Sequence, residues 1–128
     1  MKAPPELGYT ETHEWVRLEP DGKASIGITD HAQEALGDIV FIELPEIGRR
    51  VAAGEACAVV ESVKAAADVF APIAGVVVAV HDTLAKAPEM LNMDAYASWL
   101  FRLEPDDPRV IDSLLSAQAY AASAAAER

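Results

Sequence analysis

Glu61-Ser62-Val63-Lys64-Ala65-Ala66 sets one lysine among short, mostly apolar neighbours, with Gly54 ten residues before Lys64 and Gly75 eleven after it. Ala56-Cys57-Ala58-Val59-Val60 leads into this stretch and Asp68-Val69-Phe70-Ala71-Pro72 leads out of it. Both flanks are rich in strand-forming or small residues and are bounded by glycine or proline. The segment therefore predicts two strands joined by a tight turn that carries Lys64. A lysine that bears a covalent group needs this placement, because a modifying enzyme must reach it and two strands must fix its direction. A lone surface lysine is ordinarily a solvated charge, so the rest of the chain decides how Lys64 is read.

Upstream, Trp15, Val16, Leu18, Ile26 and Ile28 alternate with polar residues around Glu19-Pro20-Asp21-Gly22, which predicts a strand hairpin over 14–28. Thr29 to Gly37 predicts a short helix with Asp30 as its N-cap, Gln33 three residues on, and Gly37 as its stop. Asp38 to Leu44 reads as a strand, broken at Pro45-Glu46-Ile47-Gly48, and Val51 to Gly54 as a turn before the lysine hairpin. Downstream, Ala71-Pro72-Ile73-Ala74-Gly75 turns into the strand Val76 to Val80, and a polar stretch then reaches Pro88. Lys64 thus lies near the centre of two roughly matching halves, which a flattened β-barrel or sandwich of short strands would bury together. At the carboxyl end Asp107 and Pro108 predict the start of a helix over about 107–125, with Ile111, Leu114 and Leu115 on one face. Its alanine-rich part, Ala117 to Ala126, has high helix propensity but little apolar bulk, so its last turns are expected to fray.

A chain of 128 residues suits a single domain over 1–128 with that helix appended. The formal charge of −11, from 21 acidic and 10 basic residues, argues against nucleic acid or an anionic membrane as partner and for basic partner surfaces. Cys57 is the only cysteine, which excludes an internal disulfide and a thiolate metal cluster and suits a reducing cytoplasm. Met1-Lys2-Ala3-Pro4-Pro5-Glu6 has neither a secretory nor a mitochondrial pattern, and no apolar run is long enough to span a bilayer. His13, His31 and His81 lack ligand-like spacing, so no metal site is expected. Trp15, Tyr96, Trp99 and Phe101 read as packing residues, and Cys57 as a small buried apolar one.

Glu61-Ser62-Val63-Lys64-Ala65-Ala66, together with Tyr9-Thr10-Glu11-Thr12-His13-Glu14-Trp15, Gly27 to Gln33, Leu36 to Gly48 and Ala71 to Gly75, closely resembles the glycine cleavage H proteins, and the likeness covers nearly the whole chain. The resemblance implies a mainly β fold of the lipoyl- and biotinyl-carrier kind, a barrel-sandwich hybrid with short helices and a C-terminal helix. It implies lipoic acid joined by an amide to Lys64, within the motif residues Glu61, Ser62, Val63 and Ala65. By the same resemblance, the carrier performs no turnover. A pyridoxal-phosphate glycine decarboxylase loads an aminomethyl group on the arm, a tetrahydrofolate-dependent aminomethyltransferase removes it, and dihydrolipoyl dehydrogenase reoxidises the dithiol. A lipoate-attaching enzyme completes the partner set, and a transient carrier is expected to be monomeric.

Thr12, Glu14 and Asp68 match positions that line the arm's resting cleft in the family, with threonine at Thr12 where serine is familiar. Read alone, Glu14 is a solvent-facing strand carboxylate and Asp68 a hairpin charge. The chain departs from the family around His81, at Val76 and in Asp94-Ala95-Tyr96-Ala97-Ser98-Trp99, which lacks the customary glycines and proline and must turn differently. A biotin carrier would place methionines beside the lysine, where Val63 and Ala65 stand. A lipoyl domain of a 2-oxoacid dehydrogenase would lack the His13-Glu14-Trp15 start and the terminal helix. A lipoyl relay that serves other enzymes would use the same lysine. A self-contained enzyme lacks a readable nucleophile and base, phosphate loop or metal cluster.

Overall fold

The computed structural model describes residues 3–126. Among these, strands β1 (Gly8–Tyr9), β2 (Glu14–Leu18), β3 (Ala24–Ile28), β4 (Ile39–Glu43), β5 (Arg50–Val51), β6 (Ala56–Ser62), β7 (Ala66–Phe70), β8 (Gly75–Val80) and β9 (Phe101–Pro105) are joined by short helices. The helices are α1 (Asp30–Leu36), α2 (Asp82–Lys86), α3 (Met90–Met93) and α4 (Ala117–Ala126). All strand pairs are antiparallel, in one sheet of order β1-β2-β3-β9-β8-β5 and another of order β4-β6-β7. The two sheets enclose a core that includes Ile26, Ile42, Val60, Val69, Ile73, Val77 and Leu103. Fully buried aliphatic side chains of this size each contribute about 1.5–3 kcal/mol. The mainly β sandwich with short helices expected from the sequence is therefore present. The two halves about Lys64 are not equivalent in pairing, since β4 joins the lysine hairpin whereas β9 joins β3 and β8.

The β2–β3 hairpin forms as its alternation predicts, with Trp15 opposite Gly27. That glycine is dictated by packing, because a Cβ there would lie 2.5 Å from the Trp15 indole. Helix α1 also forms, but its N-cap is Thr29 rather than Asp30: Thr29 Oγ1 accepts the Ala32 N–H, while Asp30 accepts from Gln33 Nε2. The shift follows from the backbone, since Thr29 N–H donates to the His13 carbonyl and is held extended while Asp30 already lies in the helix.

The polar stretch after Val80 contains α2 and α3, and the aromatic region near Phe101 becomes an interior strand between β3 and β8, neither of which local patterning marked. In the altered segment, Asp94 Oδ1 accepts the N–H groups of Tyr96 and Ala97, closing the turn without glycine. The helix expected over about 107–125 is two elements. Asp107 and Pro108 do start a helix, but it is a 3-10 helix, Pro108–Ser113, followed by extended backbone at Leu114 and then α4. The break separates side chains bound for different places: Ile111 and Leu114 pack on the main core, whereas Leu115 pairs with Tyr9 and joins a second cluster. That cluster contains Leu7, Tyr9, Trp15, Tyr120 and Ala124, so it holds α4 at Tyr120 and Ala124. The helix has more apolar bulk than its alanines suggest, because Tyr120 is fully buried and stacked on Tyr9 with ring centroids 4.8 Å apart.

Candidate functional site: a lysine hairpin and the cleft beside it

Lys64 stands at the exposed tip of the β6–β7 hairpin, in the register that pairs Glu61 with Ala66. Ser62 organises the turn. Its N–H donates to the Ala65 carbonyl at 2.7 Å, and its hydroxyl accepts the N–H groups of Lys64 and Ala65 at 3.3 and 3.0 Å. Val63, 78% exposed, is fixed through its N–H to the Asp38 carbonyl. The tip is braced from α3 as well. Asn92 accepts the Ile39 N–H and donates to the Gly37 carbonyl and to Gln33, pinning the corner between α1 and β4. Gly37 has φ of 84°, and a methyl group there would sit 3.7 Å from Lys64 Cε. The lysine stem thus lies along the corner and not straight out into solvent.

A cleft of about 220 Å³ adjoins this corner. Ala32, Ala35 and Leu36 of α1 form one wall, Val60, Ala67, Asp68 and Val69 of the hairpin form the other, and Ile28 floors it. Thr12, His13 and Glu14 close the far end. The three residues singled out for an arm cleft, Thr12, Glu14 and Asp68, therefore share one cavity. Asp68 is exposed on the rim, opposite Val59 in the hairpin register.

Glu14 is not the solvent-facing carboxylate its strand position suggests, being only 1% exposed. Thr10 and Thr12 hydroxyls both donate to Oε1, and the Phe70 N–H donates to Oε2 at 3.3 Å. Burial pushes the Glu14 carboxyl above its ordinary pKa, and these donors together with the nearby His13 pull it partly back. The result is a dehydrated acceptor with its oxygens held in place, suited to an ammonium group that would replace the missing water. Cys57 is buried and does not line the cleft, its thiol pushed up to about 11 chiefly by burial.

The sequence matches the glycine cleavage H-protein family over residues 7–127. The chain belongs to that family. It is 59% identical over 122 residues to the glycine cleavage system H protein of Aromatoleum aromaticum, covering 95% of both chains. It is 56% identical over 124 residues to H protein 2 of Pseudomonas aeruginosa, covering 97% of this chain and 96% of that one. The crystal structure of an H protein from Mycobacterium marinum superposes with a TM-score of 0.85 at 40% identity, covering 94% of this chain and 97% of that one. The family consists of lipoyl carriers of the glycine cleavage system and not of catalysts, and membership implies partner enzymes. Among the described residues no helix is long and apolar enough to cross a membrane.

Several residues at the site escaped sequence reasoning. Thr10 was given no role of its own, but a turn over Thr10–His13 folds it onto Glu14. His13 and His31, eighteen positions apart, stack with centroids 4.5 Å apart beside the cleft. Asn92 and Tyr120 carried no local signal, because their importance lies in partners 53 and 107 residues away.

Proposed function

We propose that this chain carries lipoate in amide linkage on Lys64 and shuttles the aminomethyl group of glycine between enzymes of the glycine cleavage system. It would receive the group from glycine decarboxylase, yield it to the aminomethyltransferase, and be reset by dihydrolipoyl dehydrogenase. When bound, lipoate supplies a dithiolane whose reversible opening accepts and releases the one-carbon unit. The observation that carries the reading is the juxtaposition of an exposed lysine, held by the Ser62 turn, with a cleft that ends at a buried, hydrogen-bonded carboxylate.

The cleft's lining fits such a group. Ile28, Leu36, Val60 and Val69 offer apolar walls for a hydrocarbon arm, and Thr12 and Glu14 offer polar ends for an amine. The chain's own residues then have separate tasks. Glu61, Ser62, Val63 and Ala65 frame Lys64 so that a lipoate-attaching enzyme reaches Nζ. The walls exclude water. Glu14 takes up the positive charge of the amine, aided at the rim by Asp68, and the ammonium in turn favours the ionised carboxylate. Working as a monomer in the cytoplasm suits a carrier that must leave one enzyme before it meets the next.

The test is intact mass and peptide mapping of protein from cells supplied with lipoate. A lipoyl adduct on the peptide containing Lys64 is expected, and an unmodified lysine would overturn the assignment.

A further inference from the structure

Glu14 is aimed by a turn that its own strand does not explain. His13 has φ of 73°, a left-handed conformation that residues with a Cβ seldom adopt, and its N–H closes onto the Thr10 carbonyl at 3.2 Å. This turn brings the hydroxyls of Thr10 and Thr12 onto the same oxygen of Glu14. Backbone strain persists only where the surroundings over-determine it. Here the determinants come from far along the chain. The His13 carbonyl accepts the Thr29 N–H, its ring lies on His31, and its Nδ1 is 2.7 Å from the Tyr120 hydroxyl.

The same Tyr120 oxygen lies 2.7 Å from Thr29 Oγ1. Thr29 caps α1, which supplies one wall of the cleft, while His13 and Glu14 close its far end. A single phenolic oxygen therefore ties the α1 wall to the carboxylate end. Its ring is fully buried against Tyr9, so the hydroxyl has no freedom to swing elsewhere.

We infer that Tyr120 is a positioning residue for Glu14: its hydroxyl, clamped between His13 and Thr29, holds the Thr10–His13 turn and so keeps the sheltering carboxylate aimed into the cleft. This rests on the reading that the cleft protects the loaded arm. Helix α4 is then part of the carrier's working site and not only an appended cover.

Tyr120→Phe tests it, because the ring and its stack on Tyr9 are retained and only the oxygen is removed. The first readout uses the unlipoylated full chain. Amide hydrogen exchange at His13, Glu14 and Thr29 should quicken about five- to tenfold, the scale of one ordinary hydrogen bond, with the β6–β7 hairpin unchanged. The second readout is loss of the aminomethyl group from the loaded carrier without the folate enzyme, which should quicken by a similar factor while lipoylation proceeds normally. Val77→Ala, at a buried position outside the cleft, is the control: it should lower thermal stability yet leave the decay rate at the wild-type value. Unchanged turn amides in Tyr120→Phe would overturn the inference. So would a decay rate that Val77→Ala raises equally, since Tyr120 would then merely support the fold. If Glu14→Ala leaves decay unaltered, the sheltering reading itself fails and the inference falls with it. If Glu14→Ala quickens decay but Tyr120→Phe loosens the turn without quickening it, the positioning role alone is overturned.

Discussion

The lysine tip and the Glu14 end of the cleft solve the same problem, holding one functional side chain in place, by opposite means. At the tip the turn itself closes within a few residues of Lys64, Ser62 bonding Lys64 and Ala65 and Glu61 pairing with Ala66, while Asp38 and Asn92 only brace it from behind. At the other end Thr10 and Thr12 bond Glu14 from nearby, but the turn that carries them is tied to Thr29 and Tyr120 through His13, and Phe70 reaches the carboxylate directly. A locally closed site can be presented to several enzymes without disturbing the fold, whereas a site assembled from distant segments inherits the stability of the whole domain. This difference matches the tasks proposed for each end, display at one and shelter at the other.

The sharpest way to separate the two is Lys64→Arg. Attachment and support of glycine cleavage should vanish completely, while the free energy of unfolding stays within the range of a neutral surface change, about 0.5 kcal/mol. Activity retained in a reconstituted assay would break the assignment of the tip. Glu14→Ala should do the reverse, leaving lipoylation intact by mass spectrometry and quickening loss of the aminomethyl group about tenfold, the effect of removing one charge-assisted contact. An unchanged decay rate would leave the cleft without its proposed role.

Ser62→Ala should have a smaller effect confined to the tip. Two N–H groups lose their acceptor, so stability should fall by about 1–2 kcal/mol and the attaching enzyme should work several-fold more slowly, with loaded-arm decay untouched. A slower decay or a faster one would show that the tip and the cleft are not separable.

The smallest expected effect is in the pH dependence of stability. Because burial raises the Glu14 carboxyl in the folded state, its ionised form costs folding free energy at neutral pH, and that cost disappears as pH falls through the raised value. The stability of the wild type relative to Glu14→Gln should therefore climb as pH is lowered from neutral into the region just above the ordinary carboxylate range. Denaturant midpoints for the two proteins across pH measure this, and a flat difference would mean that Glu14 is less dehydrated than its surroundings imply.

Much of the fold was legible where short-range rules govern. The β2–β3 hairpin follows from alternation and a Pro-Asp-Gly turn, and the lysine hairpin from β-forming flanks. The Asp107–Pro108 helix start was also readable, but the helix ended early because Leu114 and Leu115 were claimed by two different cores. Strand β9 was missed for a related reason, since Phe101 and Leu103 become strand residues by filling the gap between β3 and β8. The placement of Thr12, Glu14 and Asp68 in one cavity came from resemblance, and nothing in their spacing foretold it.

The sequence by itself determined that Lys64 would stand on a hairpin tip, that strands would dominate, and which family the chain resembles, because turn chemistry and alternation act over a few residues. Only the tertiary structure decided that Glu14 is buried, that His13 meets His31, and that a tyrosine on an alanine-rich helix reaches His13 at the end of the cleft. Burial and hydrogen bonding between residues far apart in sequence depend on how sheets and helices close on one another. That information is distributed over the whole chain.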